Sequence, residues 1–368
     1  MFGVIKRNPT LPLKDLSRML AAQRTDFEVS APGAFSYTAY ARFALYNILK
    51  MLKLDRGSEV LLPAYICDVV LLPLVDFGLE AVYYGVTDQF QIDFSTVRLS
   101  PKTKAIITVN YFGMSQDFEN IKSFSNEHQL VWLNDNSHGF ASSHGERKLE
   151  SFGDFSITSF RKVLPTINGA YACINNEAYE FMRAELTRLN RPEAMESKLL
   201  RFMGATLLGN LHYRPWKHLD YSVVSAPSEA EIMAFRLDQI SGRILSLITE
   251  DYVQQHRFHL YQAVDSFLLQ QGYKFLELLP SLLHPGNSPM VYPVMVEDPI
   301  CWKAILRASR DVGIDIHTWP DLPPDVIAGN LFGSAEIWQR LLFLPIQQNL
   351  DAEQYCSRLA EVLDSVRL

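Results

Sequence analysis

Val131-Trp-Leu-Asn-Asp-Asn-Ser-His138 runs without a break from an apolar, β-prone start into an acid, an amide, a hydroxyl and an imidazole. Open parallel sheets place their ligand-binding side chains where such a strand ends. Upstream of it, runs of the same aliphatic and β-branched kind occupy Glu59 to Leu62, Leu79 to Val86 and Ala105 to Asn110, with Gln129 to Leu133 leading into the quoted stretch. Their spacing of roughly 20 to 25 residues leaves room for one helix and two short loops, which predicts βα units in a mostly parallel sheet. Before the first run, Tyr40 to Leu54 carries Ala41, Ala44, Leu45, Ile48, Leu49 and Leu52 on one stripe of a 3.6-residue period, and Arg56-Gly57 closes it.

Downstream, Phe155 to Ser159 and Ala170 to Ile174 read as two shorter strands around a turn at Asn168-Gly169, where glycine allows positive φ or a close backbone approach. Residues 227 to 272 read as long helices. After Pro285-Gly286-Asn287 come an extended stretch Met290 to Val296, a helix near Pro299 to Val312, a strand near Ile314 to Trp319 and a final helix near Asp351 to Leu368. The expected architecture is α/β, with an N-terminal segment over 1–34, a large domain over 35–245 and a smaller C-terminal α/β domain over 246–368.

The 368 residues are 48% hydrophobic and 20% charged, the balance of an ordinary globular chain. Net charge is −7, without a basic run, so the chain has no electrostatic footprint for nucleic acid or an anionic membrane. Cys67, Cys173, Cys301 and Cys356 are far apart, which argues against a disulfide framework or a cysteine zinc site, and no metal is expected. No apolar run approaches the length of a membrane span, and the N-terminal stretch is too short for a signal peptide. A cytoplasmic location is expected.

Three segments could carry chemistry. Asp135 ends a hydrophobic strand, although strand-end acids also serve as helix caps. Ser159-Phe-Arg-Lys162 follows another strand. Tyr40-Ala-Arg-Phe-Ala-Leu45 starts the amphipathic helix, where unbonded N–H groups and the helix dipole favour a phosphate.

Their order along the chain resembles that of the DegT/DnrJ/StrS aminotransferases, the fold-type I enzymes dependent on pyridoxal 5′-phosphate (PLP) that aminate keto sugars attached to nucleotides. Residues 40–45 look like that family's serine-glycine-threonine or glycine-arginine segment. Glu59-Val-Leu-Leu-Pro-Ala-Tyr65 and Thr103-Lys-Ala-Ile-Ile107 resemble two of its strands, Asn134-Asp-Asn-Ser-His138 its glutamate-aspartate-alanine-alanine-histidine, Gly153-Asp154 its glycine-aspartate pair, and Leu344-Pro-Ile-Gln-Gln-Asn-Leu350 its late leucine-proline strand. The resemblance implies a mostly parallel seven-stranded sheet in a three-layer αβα domain, with a smaller C-terminal domain. It implies that Lys162 holds PLP as a Schiff base and shuttles the proton, roles that need a reactive amine on a long stem. Asp135 would pair with the pyridinium nitrogen, His138 approach the phenolic oxygen, and Ser137 lie under the ring. Ser159 would bind the cofactor phosphate with the N–H groups of Ala41 and Arg42, while Cys67 or Tyr65 would cover the outer face of the ring. Arg161 would disfavour protonation of Lys162 by like-charge repulsion.

The usual family spacing sets the serine five residues before the lysine, which would pair Ser156 with Arg161. A guanidinium cannot form the imine, so the Ser159 to Lys162 frame is preferred. The resemblance also implies a homodimer with shared active sites, a partner loop falling in 209–228, and glutamate plus a nucleotide-linked keto sugar as substrates. His317, Thr318 and Trp319 are placed where they can face the substrate. Two alternatives stay open: other PLP chemistry, namely dehydration, a lyase reaction or amination of a non-sugar natural-product intermediate, and an inactive family member acting as a binding protein. Relatives that dehydrate carry histidine at the lysine position, so Lys162 favours transamination.

Overall fold

A computed structural model describes residues 5–6, 9, 34–184, 237–280 and 283–366. The expected partner loop at 209–228, the helical stretch 227–236 and most of the N-terminal segment lie outside the described residues. Among the described residues the first helices and strands are β1 (Ala34–Thr38) and α1 (Ala41–Leu52), followed by β2 (Glu59–Pro63), α2 (Leu71–Phe77), β3 (Glu80–Tyr84) and β4 (Thr103–Val109). Helix α3 (Phe118–Glu127) leads to β5 (Val131–Asn136), a short hairpin of β6 (Ser143–His144) and β7 (Arg147–Lys148), then β8 (Phe155–Thr158) and β9 (Ala170–Ile174). The hairpin apart, these strands form one seven-stranded sheet in the order β1-β9-β8-β5-β4-β2-β3. Strands β3, β2, β4, β5 and β8 pair in parallel, and β9 runs antiparallel to both β8 and β1.

The period-2 alternation of the strands sorts their side chains onto two separately packed faces. Leu61 of β2, Ile106 of β4 and Trp132 of β5 join Phe118 and Ile121 of α3 on one side. Val60, Leu62, Ala105, Ile107, Leu133, Phe155 and Ile157 face the other side with Leu45, Ile48 and Leu49 of α1. This is the expected layered α/β domain. Helix α1 stops at Leu52, short of the expected Leu54, because Lys53 turns into the left-handed region (φ 50°) and its N–H closes on the Leu49 carbonyl at 3.3 Å.

Gly169 meets both expectations of its turn: φ is +143°, and a Cβ there would lie 2.0 Å from the Phe160 ring. Gly169→Ala is expected to destabilise the protein by about 3 kcal/mol, because backbone strain and overpacking act together. A denaturation midpoint unchanged from the parent would refute this.

The remainder comprises α4 (Gln239–Ser246), α5 (Glu250–Gln271), β10 (Leu276–Leu278), β11 (Val291–Val296), α6 (Pro299–Val312), α7 (Pro324–Gly329), α8 (Ser334–Arg340), β12 (Leu341–Pro345) and α9 (Ala352–Asp364). Strands β10, β11 and β12 form an antiparallel sheet in that order. Asp298 caps α6 through the Ile300 N–H, Pro299 opens it and Gly313 (φ +80°) ends it. The strand expected over Ile314 to Trp319 is reduced to single bridges, Ile5 with Ile314 and His317 with Phe343, and Pro320 has no N–H with which to extend a ladder. Among the described residues no helix is long and apolar enough to cross a membrane.

One buried acid lies on the face opposite α1. Glu150 accepts from the Tyr171 hydroxyl at 3.3 Å through Oε1, while Oε2 has no partner among the described residues. Burial, then the charge of Glu250, pushes its carboxyl up to about 7. A carboxyl raised in the folded state keeps a proton that the unfolded chain has already released, so stability falls as pH rises from the ordinary glutamate range to about 7. Glu150→Gln is therefore expected to raise stability by up to about 3 kcal/mol at pH 8 and by little at pH 4.5, measured by urea denaturation at both pH values. An equal gain at both would exclude the ionisation.

Candidate active site

The parity that builds the layers also aims the chemistry. Asp135 shares its face with Leu133, and Ser159 shares its face with Phe155 and Ile157. Because β5 and β8 pair in parallel with Asp135 opposite Ile157, both polar side chains emerge together at the carboxyl ends of the strands, above the start of α1. Ser156 has the opposite parity and donates to the Glu150 carbonyl on the far face. A cavity of about 410 Å³ opens at this point, within the range of small-molecule and cofactor sites. Ala41, Arg42, Cys67, Asp135, Ser137, His138, Ser159 and Lys162 all line it.

Tyr65 does not. Its ring is fully buried, 4.9 Å from Trp319 and 5.6 Å from Phe90, and the Tyr111 hydroxyl donates to its carbonyl. The expectation that Tyr65 could cover a bound ring is corrected: the residue packs behind Trp319, and Trp319 is the one that borders the cavity. His317 and Thr318 border it too. Backbone bonds in both directions between His317 and Phe343 of β12 pin this wall, and the Trp338 indole donates to the carbonyls of Trp319 and Pro320. Cys67 stays a neutral thiol, since burial pushes it up to about 12.

Asp135 is fixed by the Ser137 N–H, which donates to Oδ1 at 2.9 Å. Burial pushes its carboxyl above the ordinary aspartate range, and the Ser137 contacts and the charge of Lys162 pull it back. The turn after it is held by Asn136, which accepts from Asn110 and donates to Thr158 and to the Gly139 carbonyl. This buried network accounts for an amide where the resembled family has alanine.

His138 receives the Phe112 N–H on Nδ1 at 3.2 Å. A backbone N–H can only donate, so Nδ1 is unprotonated and Nε2 carries the hydrogen. Burial and the charge of Lys162 hold the imidazole well below its usual pKa, which agrees with a neutral ring. Phe112 adopts φ 58°, a strained conformation for an aromatic residue, in delivering that N–H.

Lys162 ends the helical turn Phe160–Lys162 that Ser159 opens. Among the described residues its amine has no hydrogen-bond or ion-pair partner. Burial lowers its pKa from the usual lysine value; Asp135 and Cys67 oppose that shift and Arg161 adds to it. The Ser159 hydroxyl makes only a long 3.5 Å contact with the Gly169 carbonyl, which leaves it available to a ligand. Behind the turn, the buried Arg257 donates to the carbonyls of Pro289 and Met290, each at 3.0 Å, and to Oε1 of Gln348 at 2.8 Å. Gln348 in turn donates to the Val163 carbonyl at 3.3 Å. Burial pulls the Arg257 guanidinium down to about 9, still protonated at neutral pH.

Sequence reasoning missed Phe112, Arg257, Trp338 and the cavity walls supplied by Met290, Val291 and Phe343. These act through backbone conformation or contacts far apart along the chain, which no local pattern reports.

A partnerless lysine, a buried carboxylate and a neutral histidine stand together at the carboxyl ends of a mostly parallel seven-stranded sheet, the position at which open α/β sheets bind ligands. The DegT/DnrJ/EryC1/StrS aminotransferase family model matches residues 38–192. A curated relative from Helicobacter pylori, UDP-4-amino-4,6-dideoxy-N-acetyl-beta-L-altrosamine transaminase, is 26% identical over 336 residues, covering 87% of this chain and 81% of that protein. GDP-perosamine synthase of Vibrio cholerae is 24% identical over 139 residues, covering 36% of this chain and 38% of that protein. The fold is shared with H. pylori PseC (TM-score 0.71, 21% identity, 99% of both chains) and with the PMP form of the Streptococcus pneumoniae putative sugar aminotransferase Spr1654 (TM-score 0.72, 17% identity, 100% of this chain and 99% of that one). In sequence over residues 38–192, and in fold over nearly its whole length, the chain is similar to the DegT/DnrJ/EryC1/StrS aminotransferases.

Proposed function

We propose that the protein is a PLP-dependent aminotransferase that moves an amino group from glutamate to a nucleotide-linked keto sugar, with Lys162 as its catalytic residue. The observation that carries this is the Lys162 amine, without a partner among the described residues, lowered in basicity and facing the cavity together with Asp135 and His138. The names of the relatives support the substrate class, since both the Helicobacter and the Vibrio proteins are named for work on nucleotide sugars.

The residues fit the cofactor. Lys162 would hold it covalently, Asp135 would face its ring nitrogen, His138 would offer Nε2–H to its phenolic oxygen, and Ser137 would lie under the ring. Ser159 and the N–H groups of Ala41 and Arg42 would take its phosphate. When bound, PLP supplies an electron sink for the carbanion formed on proton removal. The protein's part is to orient Asp135 through the Ser137 N–H, keep His138 in one tautomer and carry the proton on Nζ of Lys162. Cys67 and Trp319 are the cavity residues that would border the ring's outer face.

A homodimer acting in the cytoplasm, with its large domain ending near residue 245, completes the proposal; four unpaired cysteines suit a reducing compartment. The test is spectroscopic. Purified protein given PLP should gain an absorption band beyond the tryptophan region that borohydride fixes to Lys162, and glutamate should then release 2-oxoglutarate. Protein that never gains the band refutes the cofactor; a band without 2-oxoglutarate refutes the donor.

A further inference from the structure

Arg161 lines the cavity immediately before Lys162, and among the described residues its guanidinium has no hydrogen-bond acceptor and no carboxylate partner. The guanidinium lies over the Tyr40 ring, with Cζ 5.1 Å from the centroid. Arg42 stands over the same ring at 4.7 Å, so two guanidiniums share one aromatic platform at the start of α1. Among the described residues Tyr40, Arg42, Cys67 and Lys162 act electrostatically with Arg161, and none of them is a carboxylate. Five N–H donors in a largely enclosed corner are costly without an anion; Arg42 beside it has Asp68 within electrostatic reach, whereas Arg161 faces no carboxylate among the described residues.

The backbone ties that corner to the start of α1. The Arg161 N–H donates to the Gly169 carbonyl, and the Gly169 N–H donates to Ala39, just before the helix. The Ser159 hydroxyl, the start of α1 and the Arg161 fork line the same cavity, and hydroxyl, backbone N–H and guanidinium together suit a phosphoryl group.

We propose that Arg161 is a phosphoryl-group ligand, completing with Ser159 and the start of α1 a receptor for a phosphate dianion in the cavity that the Lys162 turn lines. The inference rests on the cofactor reading for its first candidate ligand, the phosphate monoester of PLP; the diphosphate of a nucleotide sugar has the same chemistry. Arg161 is then a binding residue whose charge the ligand neutralises, and its repulsion of Lys162 is relieved on loading.

The test titrates cofactor-free protein with PLP and with pyridoxal, which lacks the phosphate, and cofactor-loaded protein with UDP. Parent, Arg161→Gln and Arg161→Lys are compared, each checked for native near-ultraviolet dichroism. The expected result is about a hundred-fold loss of PLP affinity in Arg161→Gln, less than about three-fold for pyridoxal, and an intermediate loss in Arg161→Lys. A loss confined to UDP keeps the phosphoryl site and assigns it to the substrate. Parent-like binding of both PLP and UDP by Arg161→Gln overturns the proposal. If the parent binds neither PLP nor pyridoxal, the cofactor reading fails by itself. Inorganic phosphate then decides: a melting-temperature rise in the parent that Arg161→Gln lacks upholds the site, and no rise in the parent ends it.

Discussion

Lys162→Ala is expected to lower the transamination rate by at least about 10⁴-fold while leaving the fold intact. The variant loses both the covalent tether and the group that moves the proton, and neither neighbour can replace them. Arg161 cannot give up its charge to act as a nucleophile, and the Nδ1 lone pair of His138 is occupied by the Phe112 N–H. Because the amine has no partner among the described residues and its burial disfavours the charged form, removing it should cost the folded state nothing, and the melting temperature should hold or rise. Lys162→Arg separates charge from nucleophilicity: it keeps the cation, and it should be as inactive as the alanine variant. Residual activity within a hundred-fold of the parent, or borohydride fixation of the cofactor in Lys162→Ala, would move the catalytic role elsewhere.

Asp135→Asn should lower kcat by about 10³-fold, the scale seen when one preorganised electrostatic contact is lost. The change is nearly isosteric, and the Ser137 N–H can still donate to the amide oxygen. What disappears is the negative charge at the floor of a poorly solvated cavity, without which a protonated ring nitrogen has no counter-charge. A second readout is independent of that chemistry. Asp135 is the foremost influence raising the Lys162 pKa, so the amine of Asp135→Asn should deprotonate at lower pH than in the parent, seen in the pH dependence of its acylation in cofactor-free protein. A kcat within ten-fold of the parent, or a midpoint shifted upward, would contradict the assignment.

Much of the fold was legible because strand parity and spacing are local properties. The runs ending near Leu62, Asn110 and Leu133 mark three parallel strands, and the same alternation that buries Leu133 and Ile157 delivers Asp135 and Ser159 to one face. Lys162 was legible through its position after such a strand together with the resemblance. Tyr65 was not: an aromatic residue after a strand fits a core or a cavity equally well, and the choice fell to Phe90, Tyr111 and Trp319, far away along the chain. Arg161 looked like a mere modifier of its neighbour because nothing local reveals that its fork meets no acid. Strand β1 was overlooked since five residues paired only to β9 carry little pattern of their own.

The guanidinium of Arg257 ties Met290, at the wall of the cavity, to Gln348 and through it to the loop after Lys162. Anyone redesigning the substrate range should feel that linkage. Libraries randomised at Met290 or Val291 will trade acceptor preference against turnover, because each repacking there tugs on the nucleophile's mooring. The segment Thr318 to Pro320 is anchored instead by Trp338, so changes there leave the loop after Lys162 alone but act on Trp319, which would border the ring.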